Sequence, residues 1–140
     1  MLAEAFSANP LHVALFGDQV RSRNERFFLD RLAAGDGPWL AAWVDGRIAG
    51  VLHWHVDDES DPPRVTLGPL GVRPAAQRHG IGSALMERYC REVDAGRRAG
   101  YLETDQLSNV AFYKRFAFAP TGEFTVGHVV QYVMWRPPLL

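Results

Sequence analysis

Gln77-Arg78-His79-Gly80-Ile81-Gly82-Ser83 joins an apolar, strand-like run to a segment with helical periodicity, and its reading decides the fold. Two glycines two residues apart let the backbone approach an anion with no Cβ in the way, and their N–H groups can converge. A helix beginning at Gly82 or Ser83 adds unpaired N–H groups and the positive end of its dipole. Arg78 and His79 lie within the turn and can contribute positive charge. The stretch therefore reads as a cradle for a pyrophosphate or as a plain tight turn, and its flanks decide between them.

Upstream, Val65-Thr66-Leu67-Gly68-Pro69-Leu70-Gly71-Val72 has strand composition interrupted at its middle. Gly68, Pro69 and Gly71 weaken a regular ladder and predict a bulge or splayed edge, which leaves backbone groups available to a ligand. Before it, Asp45-Gly46 separates the apolar runs Trp39 to Val44 and Ile48 to Val56, a strong hairpin signal. Asp57 to Pro63 reads as a solvated acidic connection, because its carboxylates lack metal-site spacing and have no His or Cys companions. Further upstream, residues 2–16 mix short helical patterns, and Asp18 can cap a helix running to about Ala34.

Downstream, Ile81, Ala84, Leu85, Tyr89 and Val93 form one apolar helix face ending near Gly96 or Gly100. Tyr101 to Thr104 reads as a short strand, and Ser108 or Asn109 as the cap of a helix carrying Phe112, Tyr113 and Phe116. Glu123 to Val126 and Val129 to Trp135 read as antiparallel strands around Gly127-His128. The strand–helix–strand unit over about 64–104 predicts a right-handed crossover between parallel neighbours. The remaining pairs should be antiparallel, giving an α+β fold with a mixed, mostly antiparallel sheet flanked by helices.

With 140 residues the chain suits a single domain, 1–140, with a substantial core. A formal charge of −1 gives no overall basic field of the kind that attracts nucleic acid. No apolar run is long enough for a membrane span, and the start of the chain does not resemble a signal peptide. The single cysteine, Cys90, permits no intrachain disulfide and reads as an inert helix thiol. A cytoplasmic protein without a metal is the expectation. His53 and His55 alternate with Trp54 on one strand and share a face, where they can bind or deprotonate a substrate or stand as half-exposed strand residues.

With its flanks included, Leu70 to Leu85 resembles the acetyl-CoA-binding segment of the GNAT (GCN5-related) N-acetyltransferases, whose Gln/Arg-x-x-Gly-x-Gly/Ala turn follows a bulged strand. Gln77, Gly80 and Gly82 match that turn. Asn109-Val110-Ala111-Phe112-Tyr113-Lys114-Arg115-Phe116-Ala117-Phe118 is similar to the family's Asn-x-x-Phe-Tyr-x-x-x-Gly-Phe segment. The resemblance covers roughly residues 38–136. It implies acetyl transfer from acetyl-CoA, as co-substrate, to a primary amine of a small molecule or peptide by direct attack in a ternary complex.

On that resemblance, Leu70, Gly71 and Val72 match the backbone that pairs with the pantetheine arm. Arg78, His79, Gly80, Ile81, Gly82 and Ser83 match the turn that holds the pyrophosphate, and Asn109 and Phe112 belong to the second block. Tyr113 matches a general acid near the sulfur, although a packed core tyrosine is the other reading. Glu103 matches a general base used by some members, or is structural.

Three departures stand out. Ala117 replaces the expected glycine. Gln106 occupies the position seven before Tyr113 where many relatives have asparagine. The opening segment is helix-like where the family usually begins with an edge strand, so that strand is missing or another subunit of a homodimer covers its place. A noncatalytic acyl-CoA-binding module is the alternative function. A Rossmann domain fits less well, since the hairpin precedes the glycine turn.

Overall fold

The hairpin, the crossover and the final strand pair all form in the structure, a computed structural model that describes residues 37–139. Strand β1 (Trp39–Val44) turns at Asp45-Gly46 into β2 (Arg47–Asp57), and β3 (Arg64–Val72) follows the acidic loop. A short 3-10 turn, Pro74–Ala76, leads to helix α1 (Ile81–Ala95) and then to β4 (Ala99–Thr104). Helix α2 (Leu107–Lys114) and the hairpin of β5 (Ala119–Val126) and β6 (Val129–Arg136) complete the described chain. The sheet order is β1-β2-β3-β4-β6-β5, and every pairing is antiparallel except β3 with β4.

Alternation along the central strands sends Leu52, Trp54, Val65, Leu67, Leu102 and Met134 into one core with the helices. Helix α1 contributes Leu85, Met86, Tyr89 and Val93, while Val110, Tyr113 and Phe118 come from α2 and the segment after it. Met86 replaces Ala84 on the expected face, and Ala84 is exposed, because the helix turns its largest side chains toward the sheet. Close approach is possible at Gly50, where an added Cβ would lie 3.0 Å from the Ile81 side chain and 3.2 Å from that of Leu85. The Tyr89 hydroxyl is buried but donates to the Val65 carbonyl at 2.7 Å, so this polar tip stays satisfied inside the core.

Two features of β3 shape the site. Leu52 faces Leu70 and Trp54 faces Leu67, so one residue of β2 spans two of β3, a bulge at Gly68-Pro69. Gly68 has φ 142, a conformation that glycine accepts and other residues resist. The parallel pairing with β4 then covers only Arg64 with Ala99, Val65 with Gly100 and Thr66 with Tyr101. Past these pairs the strands part, and among the described residues the far half of β3 has no paired strand on its β4 side.

Several element ends differ from expectation. Strand β4 starts at Ala99 and β5 at Ala119, both earlier than composition suggested. Helix α2 starts at Leu107 with Gln106 as its N-cap and no side-chain cap bond, so neither Ser108 nor Asn109 serves as the cap. Gly96 ends α1 in a right-handed conformation. The acidic loop uses its carboxylates internally: Asp57 accepts from the Glu59 and Ser60 amides, and Arg98 forks onto Asp58. Ala117 adopts φ 66, so the left-handed turn that the second block calls for persists without glycine. The predicted amino-terminal helices, and the question of a first edge strand, lie outside the described residues.

Candidate active site

The uncapped start of α1, the far half of β3 and one side of α2 enclose a cleft of about 800 Å³. Val72 ends β3, and Gln77 closes the following loop by donating its side-chain amide to the Val72 carbonyl at 3.1 Å. Arg78 and Gly80 take left-handed conformations, φ 67 and 79, that turn the chain into α1. The first amide to accept the helical pattern is Ala84, which donates to Gly80 at 3.0 Å. Among the described residues, the N–H groups of Ile81, Gly82 and Ser83 therefore have no backbone acceptor, and no side chain caps the helix. Three donors and a helix dipole face the cleft with no acidic residue in the first turn. An added Cβ on Gly82 would lie 3.6 Å from the Phe112 ring and 3.9 Å from Val72, in the space between the two walls.

Leu70, Gly71, Val72, Gln77, Arg78, Gly80, Ile81, Gly82, Ser83, Asn109, Phe112 and Tyr113 all line this cleft. His79 does not, and it is exposed on the outside of the turn. Arg73, near the turn in sequence, donates from Nε to the Ile48 carbonyl at 2.6 Å and ties the loop to β2.

The cleft also takes in Ala76, Ser108 and Arg115, which sequence reasoning did not place there, together with Gln106 at the position where many relatives have asparagine. Ser108, Phe112 and Arg115 recur at helical spacing, and that stripe was the available signal. Gln106 and Asn109 both border the cleft, and Asn109 donates its side-chain amide to Thr104 Oγ1 at 3.3 Å.

Tyr113 is 8% exposed and borders the cleft from α2, with the Phe112 ring 5.3 Å away and the Phe118 ring 6.1 Å away. Burial pushes its phenol well above the ordinary value of 10.0, so the group stays protonated through the neutral range. Glu103 lies outside the cleft. Its neighbours Leu102 and Thr104 point into the helix-side core, so alternation places Glu103 on the opposite sheet face, exposed. There it accepts a hydrogen bond from the Tyr101 hydroxyl at 2.8 Å, and the Arg64 guanidinium lies 4.1 Å from the Tyr101 ring. The two candidate proton-transfer groups thus flank the sheet near the place where β3 and β4 part.

The histidines, like Glu103, lie outside the cleft. His53 is fully buried, which overturns the half-exposed reading. Its Nδ1 lies 3.0 Å from the Gly68 carbonyl, and its ring lies 4.6 Å from that of Trp39. His55 is half-buried, and neither residue lines the cleft. Cys90 is half-buried, and burial raises its thiol pKa, the opposite of what a nucleophile needs. Among the described residues no group of three metal-ligating side chains converges, and no helix is long and apolar enough to cross a membrane.

The family model for the acetyltransferase (GNAT) family matches residues 6–118. Mycothiol acetyltransferase of Catenulispora acidiphila is 31% identical over 123 residues, covering 83% of this chain and 37% of that protein. The chain therefore spans little more than a third of the length of this curated relative. Among solved structures, the Corynebacterium glutamicum structure named as histone acetyltransferase HPA2 and related acetyltransferase superposes with a TM-score of 0.81. It is 24% identical, covering 99% of this chain and 88% of that one. Arabidopsis thaliana Naa50, in complex with the bisubstrate analogue CoA-Ac-MVNAL, gives a TM-score of 0.64 at 22% identity, covering 81% of this chain and 80% of that one. These likenesses show the acyl-CoA N-acyltransferase fold, a mixed sheet flanked by helices.

Proposed function

Because this chain belongs to the GNAT acetyltransferase family, we propose that it transfers the acetyl group of acetyl-CoA to a primary amine of a small molecule or peptide, by direct attack in a ternary complex. The observation that carries this reading is the parting of β3 from β4 beside a cleft floored by three unpaired helix-terminal amides. The donor set fits the ligand. Amides of Ile81, Gly82 and Ser83, with Arg78 beside them, suit a pyrophosphate, and the absent Cβ of Gly82 leaves it room. The unpaired side of β3 at Leu70, Gly71 and Val72 suits an extended arm carrying amide groups. A backbone N–H of that stretch is suited to polarise the thioester carbonyl.

Acetyl-CoA supplies an activated thioester and a thiolate leaving group, and the remaining chemistry is proton movement. An ammonium acceptor must lose a proton before attack, and Glu103 can take it, directly or through water, from the sheet face opposite α1 and α2. The leaving sulfur must gain one, and Tyr113 can donate from the helix face, where burial keeps its phenol loaded. Acid and base on opposite faces suit a reaction in a slot that passes between the strands, since neither group then neutralises the other. Peptide amines are included as acceptors because of the bisubstrate analogue bound to the Arabidopsis neighbour.

A panel of small amines, aminoglycosides and peptides, scored for amine-dependent release of CoA thiol from acetyl-CoA, tests the proposal. Release with at least one amine is expected. Tight acetyl-CoA binding with no release across the panel would favour a noncatalytic acyl-CoA-binding module instead.

A further inference from the structure

We propose that His53 is a positioning residue for the acyl-CoA slot: by holding the Gly68 carbonyl it fixes the bulge that keeps the far half of β3 apart from β4. The proposal rests on the cofactor reading above and adds to it the residue that sets the slot's shape.

The register makes the case. A regular ladder would pair each residue of β2 with one of β3, yet His53 alone stands opposite the two residues Gly68 and Pro69. Pro69 has no N–H to return to the ladder, and Gly68 bends through φ 142. The Gly68 carbonyl is thereby directed out of regular pairing, and the imidazole of His53 meets it at 3.0 Å. A carbonyl only accepts, so Nδ1 carries the proton. The ring is fully buried, and Trp39, its register partner on β1, lies against it at 4.6 Å with a tilt of 42°. A buried donor fastened to a carbonyl at the crest of a bulge restrains the backbone there.

The consequence reaches the cleft within a few residues. Pairing of β3 with β4 stops at Thr66, just before the bulge, and the cleft-lining stretch Leu70 to Val72 starts just after it. Without the bulge, β3 would slip by one residue past Gly68. Side chains at Leu70, Gly71 and Val72 would then exchange faces and their amides would exchange edges, because the strand period is two. His53 thus acts on the slot from behind, without touching it.

Two probes separate this role from a general loss of structure. CoA needs both the glycine turn and the slot, whereas adenosine 3′-phosphate 5′-diphosphate, the nucleotide end of CoA without its pantetheine arm, needs only the turn. Calorimetric titration of both into wild type, His53→Leu and His53→Asn provides the test. His53→Leu should weaken CoA binding by about tenfold while leaving the nucleotide within about twofold, the scale of one lost buried hydrogen bond. His53→Asn, which keeps a donor near Nδ1, should restore most of the CoA affinity.

Should the leucine variant fold poorly, Gly68→Ala provides the same split. Among the described residues an added Cβ meets nothing within 4 Å, so there the substitution strains the bulge itself. Unchanged CoA affinity in His53→Leu, or equal loss of both probes in folded variants, overturns the proposal while leaving the cofactor reading intact. Wild-type protein that binds neither probe overturns both.

Discussion

Replacing Gly82 sets stability against binding, and the two effects should have opposite signs. The residue lies in the first turn of α1, where alanine is favoured over glycine by up to about 1 kcal/mol. A Cβ there meets the Phe112 ring at 3.6 and 3.9 Å and Val72 at 3.9 Å, ordinary van der Waals contacts that the empty protein accepts. Gly82→Ala and Gly82→Val should therefore fold with unfolding midpoints at or above that of the wild type. Binding is different, because the new side chain stands between the cleft walls and over the amides of Gly82 and Ser83. Loss of two charge-assisted hydrogen bonds at about 1.5 kcal/mol each costs about 3 kcal/mol. That corresponds to about 100-fold in Kd for Gly82→Val. Alanine, lacking the branched γ carbons, should lose less, about tenfold. Thermal unfolding and calorimetric titration of acetyl-CoA on the same preparations read both effects. A folded Gly82→Val protein with wild-type affinity would refute the cradle.

Tyr113→Phe should lower turnover by about 100-fold while leaving acetyl-CoA affinity near wild type, because only a proton donor is removed. Since burial raises the Tyr113 pKa, the associated stability is fully present below pH 10 and lost as pH climbs through the raised value. The wild-type unfolding midpoint should fall above pH 10, and less steeply in Tyr113→Phe; indistinguishable slopes would contradict the buried phenol. Glu103→Gln should cut the rate at neutral pH by about tenfold or more with acetyl-CoA binding retained. An undiminished rate moves the base elsewhere, with His55 the next residue to test. Ala117→Gly removes a non-glycine residue from φ 66 and should raise stability by about 0.5 kcal/mol, since relief of left-handed strain is partly offset by unfolded-state entropy. A lower midpoint in denaturant would show the turn is not strained.

The strongest sequence signals were local backbone signals. Asp45-Gly46 predicted the hairpin, and the glycines and proline in β3 predicted the bulge, because few other residue types satisfy those geometries. The cleft wall from Leu70 to Ser83 was legible for the same reason, since its glycines shape the backbone there. Side chains whose roles depend on tertiary surroundings were harder to read. Alternation correctly separated His53 from Leu52 and Trp54, yet could not reveal that a one-residue mismatch with β3 would set a carbonyl against its ring. Arg73 is close to the glycine turn in sequence, yet its Nε reaches back across 25 residues to Ile48, a pairing that only the folded hairpin makes possible. Tyr113 and Glu103 were each identifiable through the resemblance, while their separation onto two faces required the sheet and α2 to be packed together.

Backbone hydrogen exchange with and without acetyl-CoA tests the central claim most directly, namely that the cofactor lies along β3 and on the amino terminus of α1. Protection should rise at Leu70 and Val72, whose amides point away from β2, and at Ile81, Gly82 and Ser83, with little change along the β5–β6 hairpin. Bound acetyl-CoA that leaves both of those amide sets exchanging as in the free protein would contradict the account.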